Sequence, residues 1–150
     1  MKVKKEEISK LAEEILKQAP KARLNLAERA TIVALRGELG AGKTTFTQKV
    51  GEILGVAENM HSPTFVIMKI YNIDFREFKN FIHIDAYRIE KDSELLHLGW
   101  EEIISEPENL VFIEWPENVP GLIPENAKRI SFKHVDENTR EISVDKFESL

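Results

Sequence analysis

A mainly parallel central sheet flanked by helices in three layers, with an added antiparallel hairpin, is the α/β fold that this sequence predicts. Three observations lead there. Thr31-Ile32-Val33-Ala34-Leu35 is a short, β-branched, nearly continuous apolar run, as expected of a strand buried on both faces. Gly37-Glu38-Leu39-Gly40-Ala41-Gly42-Lys43-Thr44 follows at once and fits the phosphate-binding pattern G-x-x-x-x-G-K-S/T. Phe46, Val50, Ile53 and Leu54 then recur at helical spacing, and Gly55 supplies a stop. Strand, glycine-rich loop and helix in that order are the signature of the P-loop NTPase type of three-layer fold.

The remaining elements follow in chain order. Ile8, Leu11, Ala12, Ile15 and Leu16 repeat at three and four residues, so the spacing predicts an amphipathic helix over 5–18, ended near Pro20. Thr64 to Tyr71 and Asn80 to Ile84 read as strands joined by a polar connector from Asn72 to Lys79, an antiparallel hairpin or a neighbouring pair. Ser93 to Ser105 carries a helical pattern interrupted at Gly99, which predicts two short helices, with Trp100 read as core. Leu110-Val111-Phe112-Ile113 is a second buried strand. Ala127 to Val135 and Thr139 to Asp145 flank Asp136-Glu137-Asn138 and read as a closing hairpin.

With 150 residues and no repeat or linker, the chain is expected to be one domain, residues 1–150, with little room for a lid. The absence of cysteine excludes disulfides, zinc-thiolate sites and cysteine nucleophiles. Met1 to Lys10 is charged and no run is long enough to cross a bilayer, so a cytoplasmic protein is expected. A net charge of −5 with scattered Lys and Arg argues against independent nucleic-acid binding. Lys2, Lys4 and Lys5 read as a solvated N-terminus.

The chemistry concentrates in the loop. Glycine lets successive amides of Glu38, Leu39, Gly40, Ala41, Gly42, Lys43, Thr44 and Thr45 turn inward as a nest for phosphate oxygens, at the positive end of the following helix. Lys43 is placed for the β and γ phosphates and Thr44 for a magnesium ion, so a nucleoside triphosphate is the expected ligand. Two strands end in an acid that could complete the magnesium shell: Val111-Phe112-Ile113-Glu114 and Phe81-Ile82-His83-Ile84-Asp85. Ser62, Pro63, Thr64 and Phe65, between helix and next strand, occupy the place of a γ-phosphate-sensing switch, although an ordinary proline turn has the same spacing. The four histidines lack metal-ligand spacing and read as polar or packing residues.

Taken together, Gly37 to Thr44, Ser62-Pro63-Thr64-Phe65, His83-Ile84-Asp85-Ala86-Tyr87-Arg88 and Ile113-Glu114-Trp115-Pro116-Glu117 closely resemble TsaE, also called YjeE, the small bacterial ATPase family of tRNA threonylcarbamoyladenosine synthesis. The resemblance covers about residues 8 to 125. It implies ATP and Mg2+ as ligands and the TsaD and TsaB proteins as partners. Those partners transfer threonylcarbamoyl to adenosine 37 of tRNAs reading codons that begin with A, so contact with tRNA is indirect. By the same resemblance Asp85 and Glu114 handle magnesium and hydrolysis, Ser62 to Phe65 form the switch, and Trp115 lies close to the nucleotide. Glu38 stands where many relatives have Asp.

Either Glu114 or Asp85 is expected to orient the attacking water, and hydrolysis by the chain alone is expected to be slow until a partner stimulates it. A small-molecule P-loop kinase is the alternative, but it needs an acceptor pocket and usually an arginine-bearing lid. A GTP switch would need N-K-x-D and D-x-x-G segments that the sequence lacks. An interaction module holding nucleotide as a structural ligand is the non-enzymatic reading.

Overall fold

The computed structural model describes residues 1–18, 29–38, 40–56 and 67–145. Its strands are β1 (Lys2–Lys4), β2 (Thr31–Gly37), β3 (Met68–Phe75), β4 (Phe78–Asp85), β5 (Asn109–Glu114), β6 (Lys128–Asp136) and β7 (Thr139–Asp145). Its helices are α1 (Ile8–Gln18), α2 (Lys43–Ile53), α3 (Asp92–His97) and α4 (Trp100–Ile104), with 3-10 turns at Lys5–Glu7, Pro116–Asn118 and Pro120–Leu122. All seven strands join one sheet in the order β1-β7-β6-β2-β5-β4-β3.

The expectation of a mainly parallel sheet is corrected. β6, β2, β5 and β4 run parallel, whereas β3 pairs with β4, β7 with β6 and β1 with β7 in antiparallel sense. The sheet is mixed because parallel neighbours need a long crossover while a tight turn can only reverse the chain. Asn72 to Lys79 is no loose connector: β3 runs to Phe75, β4 starts at Phe78, and Phe75 and Phe78 pair across the turn. Arg76 and Glu77 therefore make a two-residue reversal with φ of 48° and 71°, the positive pair that a twist-matched hairpin turn requires. Asp136 likewise pairs with Thr139 across a two-residue reversal at the closing hairpin, without positive φ at Glu137 or Asn138.

Alternation along β2 separates two cores. Val33 and Leu35 face α1 and α2, where Ile8, Leu11, Ala12, Ile15 and Leu16 bury the predicted stripe. Ile32 and Ala34 face the opposite side, covered by Leu95, Trp100 and Ile103 of α3 and α4. Helices thus lie on both faces of the sheet. Trp100 is core as expected, and its Nε1–H donates to the Leu122 carbonyl at 3.1 Å. On the first face Phe46 of α2 packs its ring 6.2 Å from Phe112 and 5.4 Å from Phe132, and Phe81 meets Phe112 edge-on at 5.4 Å. These rings tie α2 to β5 and β6.

β1 was not foreseen. Lys2 and Lys4 are solvent-exposed as expected, but Val3 between them is buried and pairs with Arg140 at the outer edge of β7. Among the described residues no helix is long and apolar enough to cross a membrane.

Candidate functional site

β2 leaves the sheet at Gly37, and the chain returns as α2 at Lys43, so residues between them cap the carboxyl ends of the parallel strands. The loop closes on itself through Ala41 N–H donating to the Glu38 carbonyl at 3.1 Å. Gly42, with φ 107° and ψ 6°, precedes the helix in a left-handed conformation that a side chain disfavours. The first amides of α2 face back toward the loop, at the positive end of the helix dipole.

Lys43 is only 4% exposed. Its Nζ donates to the Gly37 carbonyl and lies 3.8 Å from the centre of the Trp115 ring. Burial holds its pKa below the ordinary lysine value, an effect opposed by the carboxylates of Glu114, Glu117 and Asp85. Trp115 reaches this position because its backbone turns left-handed, at φ 60° and ψ 49°, directly after β5. The Trp115 N–H donates to the Leu35 carbonyl at 3.2 Å, which fixes the turn to β2.

The two acids that end strands meet. Register pairs Asp85 with Glu114, and period-two alternation puts them on the face toward α2. Thr44 Oγ1 donates to Glu114 Oε1 at 3.1 Å, with Oε2 at 3.5 Å. Asp85 Oδ1 accepts from the Tyr87 N–H at 3.0 Å. Burial raises the pKa of Asp85 and Glu114 adds to the rise; the Tyr87 bond, His83 and Lys43 oppose it. Tyr87 in turn sets its ring 5.0 Å from Trp115.

Lys43, Thr44, Asp85, Glu114 and Trp115 are therefore brought together from three elements and the turn after β5. Ala41 is buried under the loop, while Glu38, Gly40 and Thr45 are exposed at its rim. Leu39 and the residues expected to form a switch, Ser62, Pro63, Thr64 and Phe65, lie outside the described residues. One participant was missed by sequence reasoning. His83 Nε2 lies 2.6 Å from Glu114 Oε2. The available signal was its place two residues before Asp85 on a strand, which puts both on one face.

Chemically, the cluster offers a cation and helix amides for an anion, beside a hydroxyl and two carboxylates. Those oxygens are the hard donors that magnesium prefers, so the donor set fits the expected ion.

Residues 3–142 match the family model described as "Threonylcarbamoyl adenosine biosynthesis protein TsaE". A tRNA threonylcarbamoyladenosine biosynthesis protein TsaE of Rickettsia prowazekii (strain Madrid E) is 38% identical over 116 residues, 77% of this chain and 77% of that protein. Its counterpart from Bacillus subtilis (strain 168) is 35% identical over 117 residues, 78% of this chain and 70% of that protein. Among solved structures, that of Bacillus subtilis YdiB superposes with a TM-score of 0.68 at 27% identity, covering 96% of this chain and 83% of that one.

Proposed function

Since the chain belongs to the TsaE family, we propose that it is a P-loop ATPase that binds and hydrolyses Mg-ATP to support TsaD and TsaB in forming N6-threonylcarbamoyladenosine at position 37 of tRNAs that read codons beginning with A. The observation that carries this reading is the Thr44–Glu114 hydrogen bond beside the buried Lys43. It joins the first turn of α2 to the end of β5 at the mouth of the glycine-rich loop. The parallel strands β6, β2, β5 and β4 beneath the loop are read as the core of the P-loop fold.

In this mechanism the loop amides and the α2 N-terminus hold the phosphates, and Lys43 leaves the Gly37 carbonyl to meet their charge. Thr44 and Glu114 would hold a magnesium ion, which would supply neutralising charge to the phosphates. Asp85 is left to orient the attacking water, because Glu114 is already engaged by Thr44 and His83. Its raised pKa suits a group that receives a proton. Trp115 walls the site beside Lys43. Leu39 and Ser62 to Phe65 keep their expected roles in the loop and as the γ-phosphate switch.

Hydrolysis alone is slow on this reading, and TsaD with TsaB accelerates it. The test is ATP hydrolysis by the chain alone and with matched TsaD and TsaB, alongside tRNA modification over several turnovers, with Lys43→Ala as control. Stimulated hydrolysis and multi-turnover modification, both lost in the variant, are expected. If the partners neither bind nor change the rate, the pathway assignment fails, and phosphate transfer to small acceptors is the next assay.

A further inference from the structure

His83 is 1% exposed, yet it sits in a strand interior where apolar side chains pack. Phe81 and Phe112, on the same sheet face, belong to the aromatic core beneath it. Register pairs His83 with Phe112 and Asp85 with Glu114, so His83 and Glu114 are diagonal neighbours on one face of β4 and β5. Glu114 is itself only 2% exposed. A buried carboxylate needs a hydrogen-bond partner at each oxygen.

Those partners come from opposite directions. Thr44 serves Oε1 from α2, and the His83 ring serves Oε2 from β4. His83 Nδ1 is buried with no hydrogen-bond partner among the described residues. A proton on Nδ1 would be an unsatisfied buried donor and would leave two acceptors facing each other across 2.6 Å. Only a proton on Nε2 gives the short contact to Glu114 its donor.

We propose that His83 is a positioning residue for Glu114: its Nε2–H holds Oε2 of the carboxylate and thereby turns Oε1 toward the Thr44 hydroxyl. Resting on the Mg-ATPase reading above, this gives His83 the task of fixing the carboxylate that supports the metal site, one layer beneath it. A carboxylate held at both oxygens has one orientation; with the His83 bond removed it can rotate away from Thr44. His83 touches neither phosphate nor water in this scheme, and its effect passes wholly through Glu114.

Two measurements test it. In the intact chain labelled with 15N-histidine, ring spectra should show one histidine whose Nε2 carries a hydrogen-bonded proton, its signal absent in His83→Gln. A ring with no proton at Nε2 would overturn the proposal, whether or not the chain hydrolyses ATP. The second measurement compares His83→Leu, His83→Gln and parent in magnesium-dependent ATP hydrolysis with TsaD and TsaB. Leucine should lower kcat or raise the magnesium midpoint by roughly 10- to 100-fold, with magnesium-free nucleotide binding unchanged. Glutamine, whose amide can donate at about the place of Nε2, should recover most of that loss. Parent-like kinetics in the leucine variant, or glutamine no better than leucine, would sink the idea. Should leucine prevent folding, glutamine and the ring spectrum decide. A parent without ATPase activity would count against the ATPase reading, and the ring spectrum would still report whether His83 holds Glu114.

Discussion

Gly37 is the point where strand becomes loop, and its replacement by alanine gives a sharp test of how closely the loop is built onto the sheet. A Cβ there would lie 2.6 Å from the Phe132 carbonyl oxygen, 3.1 Å from Phe132 Cβ and 3.3 Å from Ala41 Cβ. The first of these is inside the 3.0 Å that real Cβ atoms respect, and the obstacle is backbone of the neighbouring strand β6. None of the three atoms is the far end of a flexible side chain, so β2 and β6 must separate locally. Overpacking of this kind costs about 1–3 kcal/mol, and for a domain of this length each kcal/mol lowers Tm by roughly 2–4 °C. Gly55 is the control: at φ +84° with no atom within 4 Å, it meets only the conformational penalty of a left-handed residue, about 1–2 kcal/mol. Asparagine tolerates that conformation and should restore stability at position 55, but not at 37, where the collision is with any Cβ. Thermal and urea unfolding of the four variants decides the matter. A Gly37→Ala protein within about 0.5 kcal/mol of parent, outside the range expected for overpacking, or one rescued by Gly37→Asn, would refute the reasoning.

Asp85→Asn should raise Tm while lowering ATP hydrolysis, because burial already disfavours the charged carboxylate in the folded state. A raised folded pKa means that Asp85 contributes most to stability below its unfolded value of 3.8 and loses that contribution as pH rises through the folded pKa. The gain from asparagine should therefore be full at neutral pH and vanish in acid, and a pH-independent gain would contradict it. Parent hydrolysis should fall with acidification at a pH above the ordinary aspartate range, and the same pH profile read on Glu114→Asp should keep that limb. Lys43→Ala should abolish nucleotide binding and hydrolysis with the fold intact, checked by calorimetric titration and circular dichroism; equal ATPase rates in variant and parent would defeat it. Replacing Arg76-Glu77 by Asn-Gly should stabilise by about 1–2 kcal/mol, since those residue types suit two positive φ values, and unchanged urea unfolding would show the turn to be unstrained.

Much of the site is legible in one dimension. Gly37 to Thr44 announces itself because phosphate binding needs particular residue types at fixed offsets. Asp85 and Glu114 stand out because each ends an apolar run, the point where alternation carries a side chain to the sheet edge. That they are register partners, and that Glu114 meets Thr44, depends on which strands lie side by side, and no local pattern carries that. β1 is three residues with a single apolar side chain, Val3, so it has no period to detect and exists only because β7 offers an edge. Asn72 to Lys79 looks polar because β3 is an edge strand and exposes alternate side chains. His83 is silent for a related reason: a histidine within a strand acquires a task only when the neighbouring strand brings Glu114 within reach.

Phe46 is fully buried three residues after Lys43, between rings contributed by β5 and β6. Close-packed interiors resist tilting and sliding, so the first turn of α2 is bolted at its base to two strands at once. The helix that follows the loop is then stiff at its root, so a ligand at its N-terminus would meet a first turn that packing already holds in place. Such stiffness also limits where news of occupancy can go. The Trp115 ring lies against Lys43, and the Tyr87 ring beside it is 46% exposed. A displacement of the lysine amine would reach solvent through two aromatic rings without unpacking the core.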